Sequence, residues 1–227
     1  HKTMMLALFL LLLVFGPSIW LNFVFNRHDK ILVDMPFTAG ELGHDVLREN
    51  GLEGVCIEET RGGDHFDVRE NKVRIVGQRL SRKSLTAISV VCHEIGHAIQ
   101  HAEKYRPLEQ RTRIVERTAW ISRAGSAILF LGLPAIYATG SYSLIKVCLI
   151  LVILSAIIGL AIHLITLDVE LDASFNRALP IIREKVPEDY HEACRSVLRA
   201  AALTYVVGVI GNLFSLRAIW LLISRLT

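Results

Sequence analysis

Two histidines four residues apart, with a glutamate between them, constrain this chain more than any other feature. Residues 93–97 read His93-Glu94-Ile95-Gly96-His97. Four residues is slightly more than one helical turn, so both imidazoles leave one face of an α-helix, roughly 6 Å apart. So placed, two neutral imidazoles suit a single Zn²⁺, and Glu94 stands one step around, where it can act on water at the metal's open side. That chemistry needs a rigid helix, and the local sequence supplies one. Ser81 or Ser84 can cap it, Leu85, Ile88, Val91, Ile95 and Ile99 recur at three- or four-residue steps, and Pro107 follows Lys104 as a stop. The pattern predicts about five or six turns, buried along one flank.

A catalytic zinc takes three protein ligands and keeps a further position open. His101 continues the four-residue series, but a straight helix sets it about 12 Å from His93, too far to share one ion. A stronger source of the third ligand is an acidic cluster far along the chain, Leu167-Asp168-Val169-Glu170-Leu171-Asp172-Ala173-Ser174.

That cluster directly follows an apolar run, one of four. Hydrophobic residues make up 52% of the 227, and the mean hydropathy is +0.42. Residues 4–25, 124–139, 144–166 and 201–224 account for it. Runs near 20 residues predict transmembrane helices, the second borrowing its start from Trp120 to Arg123. Gly140-Ser141-Tyr142-Ser143 makes the second and third a hairpin, and Arg217 in the fourth is expected to snorkel or pair. The first run has too long an apolar core for a signal peptide. Four crossings place residues 27–123 and 167–200 on one side of the bilayer, a necessary condition for the acidic cluster to meet the histidines. Arg27, Lys30, Arg117, Arg123 and Arg177 flank that side, so the positive-inside tendency puts the polar segments in the cytoplasm and both termini outside.

Net charge is only +3 with the two signs interspersed, so nothing indicates a nucleic-acid partner and none is expected. Cys56, Cys92, Cys148 and Cys194 show no C-x-x-C spacing and suit reduced thiols.

Within residues 27–123, Thr38 to Asn50 reads as a short helix and Glu53 to Glu59 as a strand. Asp64 to Val68 and Val73 to Val76 read as a hairpin about a turn at 69–72. Together with the motif helix, the runs Phe37-Thr38-Ala39-Gly40-Glu41, Glu49-Asn50-Gly51-Leu52, Asp64-His65-Phe66-Asp67, His93 to His101 and Glu170-Leu171-Asp172-Ala173-Ser174 carry a resemblance. The chain resembles the YugP-like membrane zinc metallopeptidases over nearly its whole length, with distant kinship to HtpX-type gluzincins. Val68 and Cys92 depart from that family's pattern at positions that carry no metal chemistry.

The resemblance implies an α+β fold: a mostly helical integral membrane protein with four transmembrane helices and a small gluzincin-like cytoplasmic metalloprotease domain. Its domain plan is transmembrane helices at 4–25, 124–139, 144–166 and 201–224. A protease domain at 27–123 holds the small sheet and motif helix, and 167–200 adds the third-ligand helix. It implies a multi-pass protein of a bacterial-type inner membrane and a neutral zinc endopeptidase with Zn²⁺ as cofactor. By the same resemblance His93 and His97 are ligands, Glu94 is the catalytic glutamate and Glu170 is the third ligand. Two spacings compete at that last position. The E-x-x-x-D pattern of HtpX-like relatives would pair Asp168 with Asp172 instead, and on an ideal helix Glu170 lies about 160° from Asp172. Asp172 can then stand behind the ligands only if the helix is distorted or starts there. Arg177, Tyr190 and His191 are candidates for steadying the oxyanion, and Asp64 and His65 for lining the substrate cleft. The expected partners are the bilayer and a protein or peptide substrate associated with it. The alternative is a non-catalytic membrane scaffold whose zinc is structural or missing, in which a fourth side chain such as cysteine would close the site.

Overall fold

A computed structural model describes residues 2–127 and 131–213. Two compact units emerge among the described residues, one within 2–103 and 170–213 and the other within 104–169.

The first unit is built around the motif helix. Helix α1 (Lys2–Arg27) leads to α2 (Ala39–Glu49). The start of α2 is fixed by a capping box, with Thr38 Oγ1 accepting from the Glu41 N–H and the Glu41 carboxylate accepting from the Thr38 N–H. Strands β1 (Cys56–Thr60), β2 (His65–Asp67) and β3 (Lys72–Val76) form a sheet of order β1-β3-β2. The expected hairpin is present as antiparallel β2 and β3, with Phe66 opposite Val73, while β1 runs parallel to β3. The first strand starts at Cys56 rather than Glu53, because residues 53–54 form a turn and Val55 N–H closes it on the Leu52 carbonyl.

Helix α3 (Leu85–Ala102) begins at Ser84, whose hydroxyl oxygen accepts from the Ala87 N–H. Its burial exceeds the one flank read from periodicity. Leu85, Ile88, Val91 and Ile95 are buried, and so are Ala87, Val90, Cys92 and Ala98 around the remaining faces. The reason is position, since α2, the sheet, the later π turn and the last described helix, α8 (His191–Leu213), all pack on it. A helix wrapped on every side carries apolar residues on every side, and the polar ones it buries must find partners. Val46 and Leu47 of α2, Val73 and Ile75 of β3, and Val197 and Leu198 of α8 complete this core. Each such side chain contributes about 1.5–3 kcal/mol on burial.

Helices α4 (Arg106–Ala127) and α5 (Leu133–Thr139) belong to the second unit, with α6 (Tyr142–Leu171) as far as Val169. The last two residues of α6 return the chain to the first unit. There follow a π-helical turn (Asp172–Ala178), α7 (Leu179–Lys185) and α8 (His191–Leu213).

The expectation of four transmembrane helices is corrected. Among the described residues no helix is long and apolar enough to cross a membrane. The run at 124–139 contains helix α5 of only seven residues, about 10 Å long against a hydrocarbon core of about 30 Å. In the run at 4–25, α1 carries Pro17, buries Val24 and rests Leu21 on the protein core. The run at 144–166 lies in α6, which continues into Asp168 and Glu170. The run at 201–224 starts with Ala201 and Ala202 buried in protein, and its remainder from 214, Arg217 included, lies outside the described residues. An apolar run does not by itself distinguish a lipid-facing helix from a core-facing one. The cytoplasmic placement with both termini outside was counted from those crossings, and it loses its basis with them.

Candidate metal centre

The two motif histidines and Glu170 meet inside the first unit. Glu170 Oε2 lies 3.0 Å from His93 Nε2 and 3.2 Å from His97 Nε2, and the three donor atoms fall within 4.8 Å of one another. All are buried, at 3%, 8% and 8% exposure for His93, His97 and Glu170. The imidazole rings stand edge to face with centroids 4.8 Å apart.

Backbone packing creates the meeting. Gly96 sits between the histidines, and a Cβ there would lie 2.6 Å from the Ala173 carbonyl oxygen. Only glycine lets α3 and the π turn approach so closely, and Glu170 is three residues before that contact. Gly96→Ala is therefore expected to push backbone against backbone, to lower stability by about 1–3 kcal/mol and to weaken zinc binding. Thermal unfolding with and without zinc checks this, and an unchanged melting temperature would contradict the close approach.

Hydrogen bonding fixes the tautomer of each histidine. The Ser174 hydroxyl donates to the Leu198 carbonyl at 2.7 Å, so its oxygen accepts from His93 Nδ1–H at 2.7 Å. On the other side, Asp172 can only accept, so the Gln100 amide nitrogen faces it at 2.8 Å. The amide oxygen of Gln100 is thereby turned to His97 and accepts from Nδ1–H at 2.9 Å. With both Nδ1 protons committed, both Nε2 lone pairs point at the carboxylate oxygen of Glu170. Three acceptor atoms converging in a buried space require a cation or a proton between them.

The donor set fits zinc. Two imidazoles and one carboxylate are zinc ligands, and bonds near 2.0–2.2 Å in tetrahedral array put ligand atoms about 3.3 Å apart, close to the observed 3.0 and 3.2 Å. The charges agree. Burial lowers the proton affinity of His97, but the adjacent Glu170 carboxylate outweighs it and raises the pKa to about 9. A proton on Nε2 acts on Glu170 as such a cation would: burial pushes the carboxyl upward, and the His97 charge with hydrogen bonds from imidazoles protonated at Nε2 reverses this, holding it well below the usual carboxylate range. The pocket thus favours positive charge at its centre.

Glu94, 6% exposed, lies beside the cluster. Burial raises its pKa against the lowering influence of His93 and His97, with the charges of Glu170 and Asp64 adding to the rise. Asp172 is also brought close, because the chain leaves α geometry there. Its Oδ2 accepts from Gln100 and from Arg177 Nε at 2.7 Å, and its Oδ1 accepts from Asn176 at 2.9 Å.

The other sequence candidates contribute no atom to the cluster and are engaged in contacts of their own. Arg177 is engaged with Asp172 and Glu103. His191 Nε2 bonds the Val186 carbonyl at 2.7 Å, and Tyr190 packs on the apolar core. Asp64 accepts from the Val76 N–H at 2.7 Å and pairs with Arg79, tying the end of β3 to the following turn. His65 Nδ1 bonds the Gly63 carbonyl at 2.8 Å at the start of edge strand β2. His101 is exposed with its ring against Phe66. A cavity of about 260 Å³ lined by Glu103, Arg177 and Lys185 does not include the cluster.

Gln100 and Ser174 had no assigned role from sequence. Their spacing was the available signal, since Gln100 is three residues after His97 and Ser174 four after Glu170, one helical turn in each case.

Comparison with known proteins bears on this geometry. The model of the family described as "Putative neutral zinc metallopeptidase" matches residues 3–225. The chain is 36% identical over 219 residues to a Bacillus subtilis (strain 168) protein named "Putative membrane protease YugP", covering 93% of this chain and 94% of that one. The chain belongs to the neutral zinc metallopeptidase family. The resemblance read from the sequence is thus borne out. The family's metal is the one that the buried His93, His97 and Glu170 cluster is compatible with. No solved structure matches this chain.

Proposed function

We propose that this family member is a zinc-dependent endopeptidase of the gluzincin type, with His93, His97 and Glu170 as metal ligands and Glu94 as the catalytic base. The convergence of two Nε2 lone pairs and one carboxylate oxygen, with a buried glutamate alongside, is the observation that carries the reading. Zinc, when bound there, supplies a Lewis acid for the scissile carbonyl and makes water acidic enough to attack near neutrality.

The chain's own residues do the rest. Glu94 takes the proton from the attacking water and returns it to the departing amine nitrogen. Its raised proton affinity, a consequence first of burial, suits a group that must hold that proton between the two transfers. Ser174 and Gln100 keep both Nδ1 atoms protonated, so the Nε2 atoms stay available throughout. Strand β2 lies at the sheet edge beside α3, and an extended peptide adding to that edge would run past Asp64 and His65.

Substrates in this reading are membrane proteins or their juxtamembrane segments, and the enzyme works in association with a lipid bilayer. The name of the Bacillus subtilis relative supports membrane association, as do the outward Leu8, Phe9, Leu12, Phe15 and Ile19 of α1. Treatment of the purified chain with a zinc chelator is expected to abolish cleavage of a detergent-solubilised membrane-protein substrate, and stoichiometric zinc to restore it. Cleavage that survives complete zinc removal would contradict the proposal.

A further inference from the structure

We propose that Gln100 is a positioning residue for the zinc ligand His97, acting as the neutral link in a relay anchored by the Asp172–Arg177 ion pair. The inference rests on the zinc-site reading above and extends it to residues outside the ligand set.

Gln100 is fully buried. A primary amide in an apolar core costs several kcal/mol unless its donors and acceptor are engaged, and here both ends are used in a fixed sense. Its nitrogen donates to Asp172 Oδ2 at 2.8 Å and its oxygen accepts from His97 Nδ1 at 2.9 Å. The direction cannot reverse, because a carboxylate offers no proton and would repel the amide oxygen. Asp172 is itself held by Arg177 Nε on the same Oδ2 at 2.7 Å and by Asn176 on Oδ1 at 2.9 Å. Arg177 is held in turn by Glu103.

The order of bonds from Glu103 to His97 therefore has one sense, and its end product is a proton on Nδ1 and a lone pair on Nε2. The two histidines are supported differently. Behind His93 stand a hydroxyl and a backbone carbonyl, both neutral. Behind His97 stands a carboxylate, but one amide removed. Placed directly on the imidazole, that carboxylate would put a second negative charge beside Glu170. The intervening amide transmits orientation while keeping the charge a side chain away. The π turn beginning at Asp172 serves this arrangement, since it aims Asp172 at Gln100 while Glu170, two residues earlier, faces the histidines.

The test is zinc affinity of the full chain, measured by competition with a chromogenic chelator, with the visible spectrum of the Co²⁺-substituted protein as a second readout. Gln100→Leu is expected to weaken zinc binding about 10–100-fold and to alter the Co²⁺ ligand-field bands. Gln100→Glu is expected to retain both, because a protonated carboxyl can reproduce the amide's acceptor and donor. Should Gln100→Leu fail to fold, Asp172→Asn decides: it keeps the shape, removes the charge that fixes the amide's sense, and is expected to weaken zinc about tenfold. Unchanged zinc affinity and Co²⁺ spectrum in a folded Gln100→Leu or Asp172→Asn chain overturn the proposal. So does loss in Gln100→Glu equal to that in Gln100→Leu. A wild-type chain that binds no zinc overturns the metal-site reading itself and this proposal with it.

Discussion

Replacing Glu94 by glutamine is expected to leave zinc bound and to lower hydrolysis about 10²–10⁴-fold, the range a positioned proton-transfer group contributes. The substitution preserves shape and removes only the ability to take a proton. Glu94 donates no atom to the His93, His97 and Glu170 cluster, so metal affinity should stay near wild type. The expected result is therefore a split, with zinc content unchanged and turnover lost, read from elemental analysis and peptide-cleavage rates on the same sample. Turnover within a few-fold of wild type would remove Glu94 from its assigned role. Loss of zinc together with turnover would show that the glutamate supports the metal rather than the chemistry.

The second large effect concerns the ligand that is remote in sequence. Glu170→Ala is expected to weaken zinc binding by more than the roughly 10–100-fold typical of losing a group behind a ligand. It removes both a donor atom and the negative charge that offsets the metal. Asp168→Ala is the matched control. Asp168 lies two residues earlier on the same helix and contributes no atom to the convergent group among the described residues. Chelator competition on the two variants separates them, with a large loss for the first and none for the second. The reverse order would support the alternative spacing that pairs Asp168 with Asp172.

Short-range physics was readable directly from the residues. The Ser84 cap, the length of α3 and the β2–β3 hairpin follow from spacing and turn chemistry within a few residues of each feature. So does the short helix α2, read from Thr38 to Asn50. Convergence of Glu170 on the histidines spans 77 and 73 residues. No periodicity reaches so far; the zinc's need for a third ligand pointed to the acidic cluster at 167–174, and the family resemblance to Glu170 within it. The Gln100–Asp172 contact was hidden for a different reason. An ideal α-helix directs Asp172 away from Glu170's side, and the π turn that changes its aim leaves no mark on hydropathy. The first and last runs were misread in part because Val24 of α1 and Ala201 and Ala202 of α8 are apolar for the sake of a protein core. Hydropathy averaged along a run carries no record of which neighbour a side chain meets.

Zinc-edge X-ray absorption on the metal-loaded chain examines the central claim most directly, because it reports the atoms around the ion. Two imidazole nitrogens at about 2.0–2.1 Å, light oxygen scatterers at about 2.0–2.2 Å and no sulfur are the expected shell. A sulfur scatterer near 2.3 Å, or a shell unaltered when Glu170 is replaced by alanine, would contradict a centre built from His93, His97 and Glu170.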